Sequence, residues 1–258
     1  MQVQLPLARR DAIAERLAAG DGVVAARLAV EFDVSEDAIR RDLRALAAEG
    51  RCRRVYGGAL PPTLLTQPMH VRVDEGRERK RALARKAIGT IAPGEFLFLD
   101  AGSTNLALVE FLPDDLELTV ATNSIDIAGA ALRRPELRLI MVGGAVDPVV
   151  GGCIDAAAVQ ALAGLNIDRC FLGACAVDAE RGVGVEFHAD AVFKRALLGV
   201  ARQCVVLATN EKFATRALHR VGALADIGLL VVEHDAPPAR LKSLRAAGAT
   251  LAKAAQAE

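Results

Sequence analysis

Six arginines and no lysine lie between Val34 and Ala59, in the run VSEDAIRRDLRALAAEGRCRRVYGGA. The planar arginine fork pairs with phosphate oxygens and with the O6/N7 edge of guanine, so such a cluster points to a polyanionic partner. From Ile39 to Tyr56 six arginines meet only Asp42 and Glu49, a local excess of four positive charges. A second chemical stretch is FLFLDAGSTN, where Asp100 ends an apolar run and Gly102, Ser103 and Thr104 form a small-residue turn. A turn of this kind at a helix start offers backbone N–H groups and two hydroxyls, which is an anion cradle suited to phosphate. Lysine is scarce beside arginine. Lys194 and Lys212 could each meet a phosphate or a sugar hydroxyl, although Lys194 also stands at i+4 from Asp190, the spacing of a simple helical ion pair.

The chain has 258 residues, which suits one large domain or a small one followed by one of roughly 150–200 residues. Its apolar fraction of 52% supports a sizeable core, and with no tryptophan and one tyrosine that core must be aliphatic. Thirty-two basic residues balance thirty-two acidic ones, so bulk charge names no partner. Five scattered cysteines show neither C-x-x-C nor Cys/His metal spacing, as expected of reduced thiols in a cytoplasmic protein that needs no metal or cofactor. No apolar run reaches about 18 residues and no signal-peptide pattern opens the chain, so no membrane role is expected.

These side chains need elements to hold them. Residues 9–48 read as three helices, with Ile13 and Leu17 on the first and Ala25, Leu28, Ala29 and Phe32 on the second. Ser35 is a good N-cap for the third, whose apolar stripe is Ile39, Leu43 and Leu46, and Gly50 would stop it. At about 100° per residue, Arg40, Arg41 and Arg44 fall opposite that stripe. RCRRVYGGA then reads as a strand, a Gly-Gly turn and a return, placing Arg53 and Arg54 on a basic wing. A recognition helix with such a wing is a winged helix-turn-helix. The proline-rich LPPTLLTQP reads as a linker, and a charged helix spans about Glu78 to Thr90. Six short apolar runs follow, at 96–100, 117–122, 137–142, 169–174, 203–209 and 228–234, most of them separated by helical stretches. Runs apolar on both faces predict a mainly parallel α/β sheet covered on both sides. Polar or glycine residues after the strand ends, including Thr122, Asn123, Gly143, Gly144 and Gly173, lie where ligands sit in such sheets. The segment after Ala246 reads as a polar, alanine-rich tail.

The run from Val34 to Ala59 resembles the signature of DeoR-type bacterial transcriptional regulators: V-S-x-x-T-I-R-R-D-L, then L-x-x-x-G and R-V-x-G-G-A. Ala38 stands where that family usually carries threonine. The second half is similar to the family's sugar-phosphate sensor domain, through Asp-x-Gly-Ser/Thr-Thr, V-x-Thr-Asn-Ser, Gly-Gly, Phe-Leu-Gly-Ala and Lys-Phe. Thr209 replaces an aspartate frequent three residues before the Lys-Phe lysine, and the segment between Gly144 and Gly151 is short. The resemblance runs from about Arg9 to His234.

It implies a winged helix-turn-helix over residues 1–60, a linker over 61–76 and a sensor and oligomerisation domain over 77–258. The sensor would share its fold with ribose-5-phosphate isomerase, glucosamine-6-phosphate deaminase and CoA transferases. The family is mostly repressors of sugar catabolism, released from double-stranded operator DNA by a phosphorylated sugar or sugar acid. Ser35, Glu36, Arg40, Arg41, Arg44, Arg53 and Arg54 are the candidate DNA-binding residues, with Arg40 and Arg44 expected at base edges and Arg41, Arg53 and Arg54 at phosphates. By position, Gly102, Ser103 and Thr104 would hold the effector's phosphate. Asp100, Thr122, Asn123, Glu186, Lys194 and Lys212 would face the sugar. A homodimer or homotetramer is expected, because such modules read DNA in pairs. The competing reading is a sugar-phosphate isomerase or deaminase with a DNA-binding arm, since Asp100, Glu186 and Lys212 can do acid–base work. A third reading, a sensor domain that only assembles the DNA-binding arms, sits poorly with the DAGST turn. A regulator without enzyme activity is the expectation.

Overall fold

The computed structural model describes residues 6–18, 21–49, 51–60 and 67–257. The chain divides into two compact units, Met1–Val71 and Arg72–Glu258.

The first unit holds helices α1 (Pro6–Ala18), α2 (Ala25–Glu31) and α3 (Glu36–Ala48), with a small sheet of β1 (Val23–Val24), β2 (Arg53–Val55) and β3 (Gly58–Leu60) in the order β1-β3-β2. Ile13, Leu17, Leu28, Ile39, Leu43 and Leu46 bury together as its core. Asp33 takes a φ of 51° between α2 and α3, a left-handed turn that aspartate tolerates better than most side chains. Ser35 caps α3, its Oγ accepting from the Ala38 amide at 3.2 Å. Gly58 fixes the wing, since a Cβ there would lie 2.0 Å from the Val23 carbonyl oxygen. Gly50 and the proline-rich residues 61–66 lie outside the described residues. The latter part of the expected linker is not irregular: Met69–Asp74 forms α4.

The second unit is built on seven strands in the order β15-β14-β12-β9-β4-β5-β6, every pairing parallel. These are β4 (Phe96–Leu99), β5 (Thr119–Thr122), β6 (Arg138–Met141), β9 (Ile167–Leu172), β12 (Ala201–Ala208), β14 (Leu229–Val232) and β15 (Leu251–Lys253). Residues on β4 alternate between the two faces. Phe98 joins a core with Leu162 of α8 (Ala156–Leu162) and Phe193 of α9 (His188–Val200). Leu97 and Leu99 join another, with Leu83 of α5 (Arg77–Ile88) and Ile127 of α7 (Ile125–Ala131). Burial on both faces is what a parallel sheet requires.

Two further expectations are corrected. The tail after Ala246 is not merely polar, because Leu251–Lys253 adds the edge strand β15 beside β14, behind α10 (Pro238–Ala246). The stretch after the DAGST turn is not one helix: α6 (Ser103–Leu106) passes into a 3-10 turn over Ala107–Phe111. The segment between Gly144 and Gly151 enters a two-stranded hairpin, β7 (Val146–Asp147) with β8 (Gly152–Cys153). A further antiparallel sheet, β10 (Ala176–Asp178), β11 (Gly182–Val185) and β13 (His219–Gly222), was not read from the sequence.

Candidate nucleic-acid interface and ligand site

On α3, Ile39, Leu43 and Leu46 are buried while Arg40, Arg41 and Arg44 are exposed. The Arg40 guanidinium donates to Glu36 at 2.8 Å and to Asp37 at 3.4 Å, so Glu36 aligns the fork along the first turn. Arg44 Nε donates to the Arg40 carbonyl at 3.3 Å. Arg53 and Arg54 are exposed on β2, and the only tyrosine, Tyr56, stands fully exposed at the turn that follows. Sequence reasoning passed over Tyr56. It also passed over Asp42, which is buried and paired with Arg9 at 2.7 Å. Asp42 falls about 60° from Ile39 on the helical wheel, which was signal enough to place it inward. Its carboxylate ties α3 to α1.

In the second unit the parallel strands end on a dense polar cluster. Asp100, just past β4, is fully buried, and its Oδ2 lies 2.7 Å from Lys194 Nζ and accepts from the Gly173 amide at 2.7 Å. The Lys194 amine is also 2.7 Å from Asp190 on the same helix. The i,i+4 pair is therefore only half of the arrangement, which is a buried triad of two carboxylates and one ammonium. Burial pushes the Asp100 carboxyl up, against the pull of Lys194. Burial alone would pull Lys194 down, but Asp100 and Asp190 hold it above the usual lysine range. Gly173 must be small, since a Cβ would sit 2.6 Å from the Ala101 carbonyl oxygen.

Each residue bounding the turn is held. The Ala101 amide donates to Asn123 Oδ1 at 2.9 Å, and Asn105 Nδ2 donates to the carbonyls of Asp100 and Phe171. The amides and hydroxyls between them stand open: among the described residues, the N–H groups of Gly102, Ser103 and Thr104 and the two hydroxyls donate to nothing. Asp100 Oδ1 is buried without a hydrogen-bond partner. Gly102 has extended backbone, and a Cβ there would meet nothing closer than 3.8 Å, so packing within the protein does not demand a glycine.

Thr122 and Asn123 differ from the expectation that they face a sugar. Both are fully buried. The Thr122 hydroxyl donates to the Leu99 carbonyl at 2.6 Å and accepts from the Ser124 amide, and Asn123 Nδ2 donates to the Cys153 carbonyl at 3.1 Å. They shape the turn from behind. Lys212, half-buried, donates to the Leu207 carbonyl at 2.9 Å, and burial pulls its amine down to about 8. The charges of Asp190, Arg72, Lys194 and Lys212 all act on the Cys175 thiol, which burial pushes up, so these groups share one neighbourhood. Glu186 follows β11, half-buried, and no hydrogen bond or ion pair among the described residues ties it to that cluster. No group of His, Cys, Asp and Glu among the described residues is arranged to hold a metal, and no helix among them is long and apolar enough to cross a membrane.

Comparison with known proteins places both halves. Residues 9–63 match the DeoR-like helix-turn-helix domain, and residues 75–234 match the DeoR C terminal sensor domain. The chain is 30% identical over 244 residues to a protein named putative aga operon transcriptional repressor from Escherichia coli O157:H7, covering 93% of this chain and 91% of that one. It is 32% identical to the glycerol-3-phosphate regulon repressor of Escherichia coli strain K12, over 82% of this chain and 83% of the relative. Among solved structures, ribose 5-phosphate isomerase A from Methanocaldococcus jannaschii aligns at a TM-score of 0.41 and 17% identity, covering 54% of this chain and 55% of that one.

Proposed function

The chain belongs to the DeoR family of transcriptional regulators, and on that premise we propose that it represses a carbohydrate-catabolism operon and is released by a phosphorylated sugar or sugar acid. The observation that carries the effector reading is the unengaged set of amides and hydroxyls at Gly102, Ser103 and Thr104, beside the orphaned Oδ1 of Asp100. Three N–H groups suit a phosphate, and a buried acceptor suits a sugar hydroxyl. A glycine that internal packing does not require, at Gly102, leaves room for a ligand to approach the backbone. In this reading Asp100 and Lys194 orient the sugar, Lys212 meets an anionic or hydroxyl group, Glu186 closes the far side, and Thr122 and Asn123 act through the turn they support.

On the DNA side, Arg40 and Arg44 read base edges. Arg41, Arg53 and Arg54 hold phosphates, and Ser35 and Glu36 set the start of the helix that enters the major groove. The working form is a cytoplasmic homo-oligomer without catalytic activity. Residues 1–60 bind DNA, 61–76 connect, and 77–258 sense and assemble. The effector shifts the equilibrium only to the extent that it binds the DNA-releasing state more tightly.

Two measurements test this. In a thermal-shift panel on the full chain, phosphorylated sugars and sugar acids are compared with their unphosphorylated counterparts. A ligand at about 100 times its dissociation constant adds about 2.7 kcal/mol, or roughly 5–11 °C for a domain of this size. A shift with a phosphorylated compound and none with its free sugar is expected; no shift across the panel sinks the effector reading, and turnover of a phosphorylated sugar would revive the enzyme reading. Ala38→Thr places a hydroxyl one turn into the recognition helix, and one added phosphate hydrogen bond of about 0.5–1.5 kcal/mol tightens DNA binding roughly two- to twelvefold. Unchanged or weaker affinity in a titration would remove Ala38 from the DNA face.

A further inference from the structure

The large sheet ends on two edges of different character. At one, β15 has only three residues, and its Lys253 amine donates to the His234 carbonyl at 3.2 Å. Short edge strands that carry lysine resist pairing with another chain. At the other, β6 reads Arg-Leu-Ile-Met, pairs with β5 in unbroken register and, among the described residues, meets no strand on its far side. Arg138 and Val142 donate inward, to the carbonyls of Leu118 and Thr122. With a strand period of two, the N–H and C=O groups of Leu139 and Met141 therefore point outward. The side chains of Ile140 and Met141 are exposed, as are those of Ile125 and Leu132 at the two ends of α7, Leu132 by 75%. α7 lies over this end of the sheet, since Ile127 and Ala131 bury in the core against which Leu139 packs. Asp126 and Arg133, one at each end of that helix, are exposed and form no ion pair among the described residues.

We propose that β6 is the seam of a two-fold dimer, pairing antiparallel with the β6 of a second copy of this chain around Ile140. The proposal rests on the homo-oligomer reading above and names its surface. A two-fold contact must be self-complementary. An axis through Ile140, perpendicular to the sheet, sets each Leu139 opposite the Met141 of the other copy, and the two exchange both backbone bonds. No neighbouring centre does as well: an axis at Leu139 or Met141 sets an outward residue opposite position 137 or 143, outside β6. The same axis lays the two α7 helices antiparallel on one face. The Ile125 end of one then meets the Leu132 end of the other, and each unpaired Asp126 meets an unpaired Arg133. The exposed apolar side chains are covered, the free edge is closed and both charges are matched by one operation. The dimer also presents two DNA-binding units, as a two-fold operator requires.

The test uses the full chain without ligand or DNA and reads association by sedimentation, with circular dichroism as the check on folding. Met141→Pro removes an outward amide and leaves the bonds to β5 intact, because proline is tolerated where an edge N–H faces solvent. It should weaken the dimer roughly thirtyfold, one bond being lost from each copy. Asp126→Arg or Arg133→Asp alone should weaken it roughly fivefold, and the two together should recover most of the loss. Ile140→Cys sits on the axis, where opposed Cα atoms stand about 4.5 Å apart, a span that a disulfide bridges. With oxidised glutathione it should give a covalent dimer. Arg138→Cys, whose copies lie about 13 Å apart, should not. The cysteine pair decides the matter if Met141→Pro does not fold. Wild-type association in folded Met141→Pro, a double charge swap weaker than either single one, or equal cross-linking at positions 138 and 140 overturns this inference and leaves the homo-oligomer to another surface. A monomeric wild type overturns both.

Discussion

Lys194→Met is expected to destabilise the second unit by about 3–5 kcal/mol, the usual result of removing one partner from a buried charge pair. The substitution preserves bulk and removes only the ammonium. Asp100 and Asp190 are then left 0% and 4% exposed with no cation between them. At about 2–4 °C per kcal/mol for a unit of this size, the melting temperature should fall by more than 6 °C. The loss has a pH signature. Without Lys194, burial and mutual repulsion hold the carboxyl pKa above its unfolded value. Such a group contributes stability below its unfolded pKa and loses it as pH rises through the folded pKa. The deficit should therefore be largest near pH 8 and shrink toward pH 5. Denaturant unfolding at both values checks it. An equal deficit at the two values would mean that packing, not charge, accounts for the loss.

The Arg40→Ala, Arg44→Ala double variant is expected to lose sequence-specific DNA binding while remaining folded. Both side chains are exposed and opposite the buried stripe of α3, so the core is untouched. The Arg40 ion pairs with Glu36 and Asp37 are exposed, and pairs of that kind are worth little. A bidentate arginine–guanine contact is worth about 1–3 kcal/mol of discrimination. Two of them give about 2–6 kcal/mol, at least a thirtyfold loss on the preferred site. Binding to random duplex should change much less, because Arg41, Arg53 and Arg54 remain. Each of those three, replaced singly, should lower the magnitude of the salt slope by about 0.9 and weaken all sequences alike. A double variant that keeps its preference for one site would place recognition elsewhere, with Tyr56 at the wing as the next residue to replace.

The parts that were legible in the sequence are those whose cause is local. The stripe Ile39, Leu43, Leu46 with the Ser35 cap gave α3 and the side from which its arginines project. The central strands β4, β5, β9, β12 and β14 were readable because burial on both faces leaves near-continuous apolar runs. Edge strand β15 was not, since three residues in an alanine-rich tail carry no periodicity and pair only because β14 offers a free edge. The strands β10 and β11 were missed for a related reason: Gly182–Val185 reads as a glycine-rich turn until β13 closes on it. At the candidate ligand site, type and turn position picked out Asp100 and Gly102–Thr104. What sequence could not supply was which polar atoms the fold already satisfies. Thr122 and Asn123 have every sign of ligand residues and are engaged by Leu99, Ala101 and Cys153. The charged helix read over about Glu78 to Thr90 gave no sign that Lys80 would be buried with its amine on the Arg72 carbonyl.

The central claim is that a ligand in the second unit controls DNA binding by the first. It is tested most directly by titrating the full chain against its preferred duplex, selected from a random-sequence library, with and without the phosphorylated compound found in the thermal-shift panel. The account predicts at least a tenfold weaker complex when that compound is present. By reciprocity, bound DNA should weaken the compound's own affinity by the same factor. DNA affinity that is unchanged at saturating compound would contradict it, and would leave the second unit as a binding domain without control over the first.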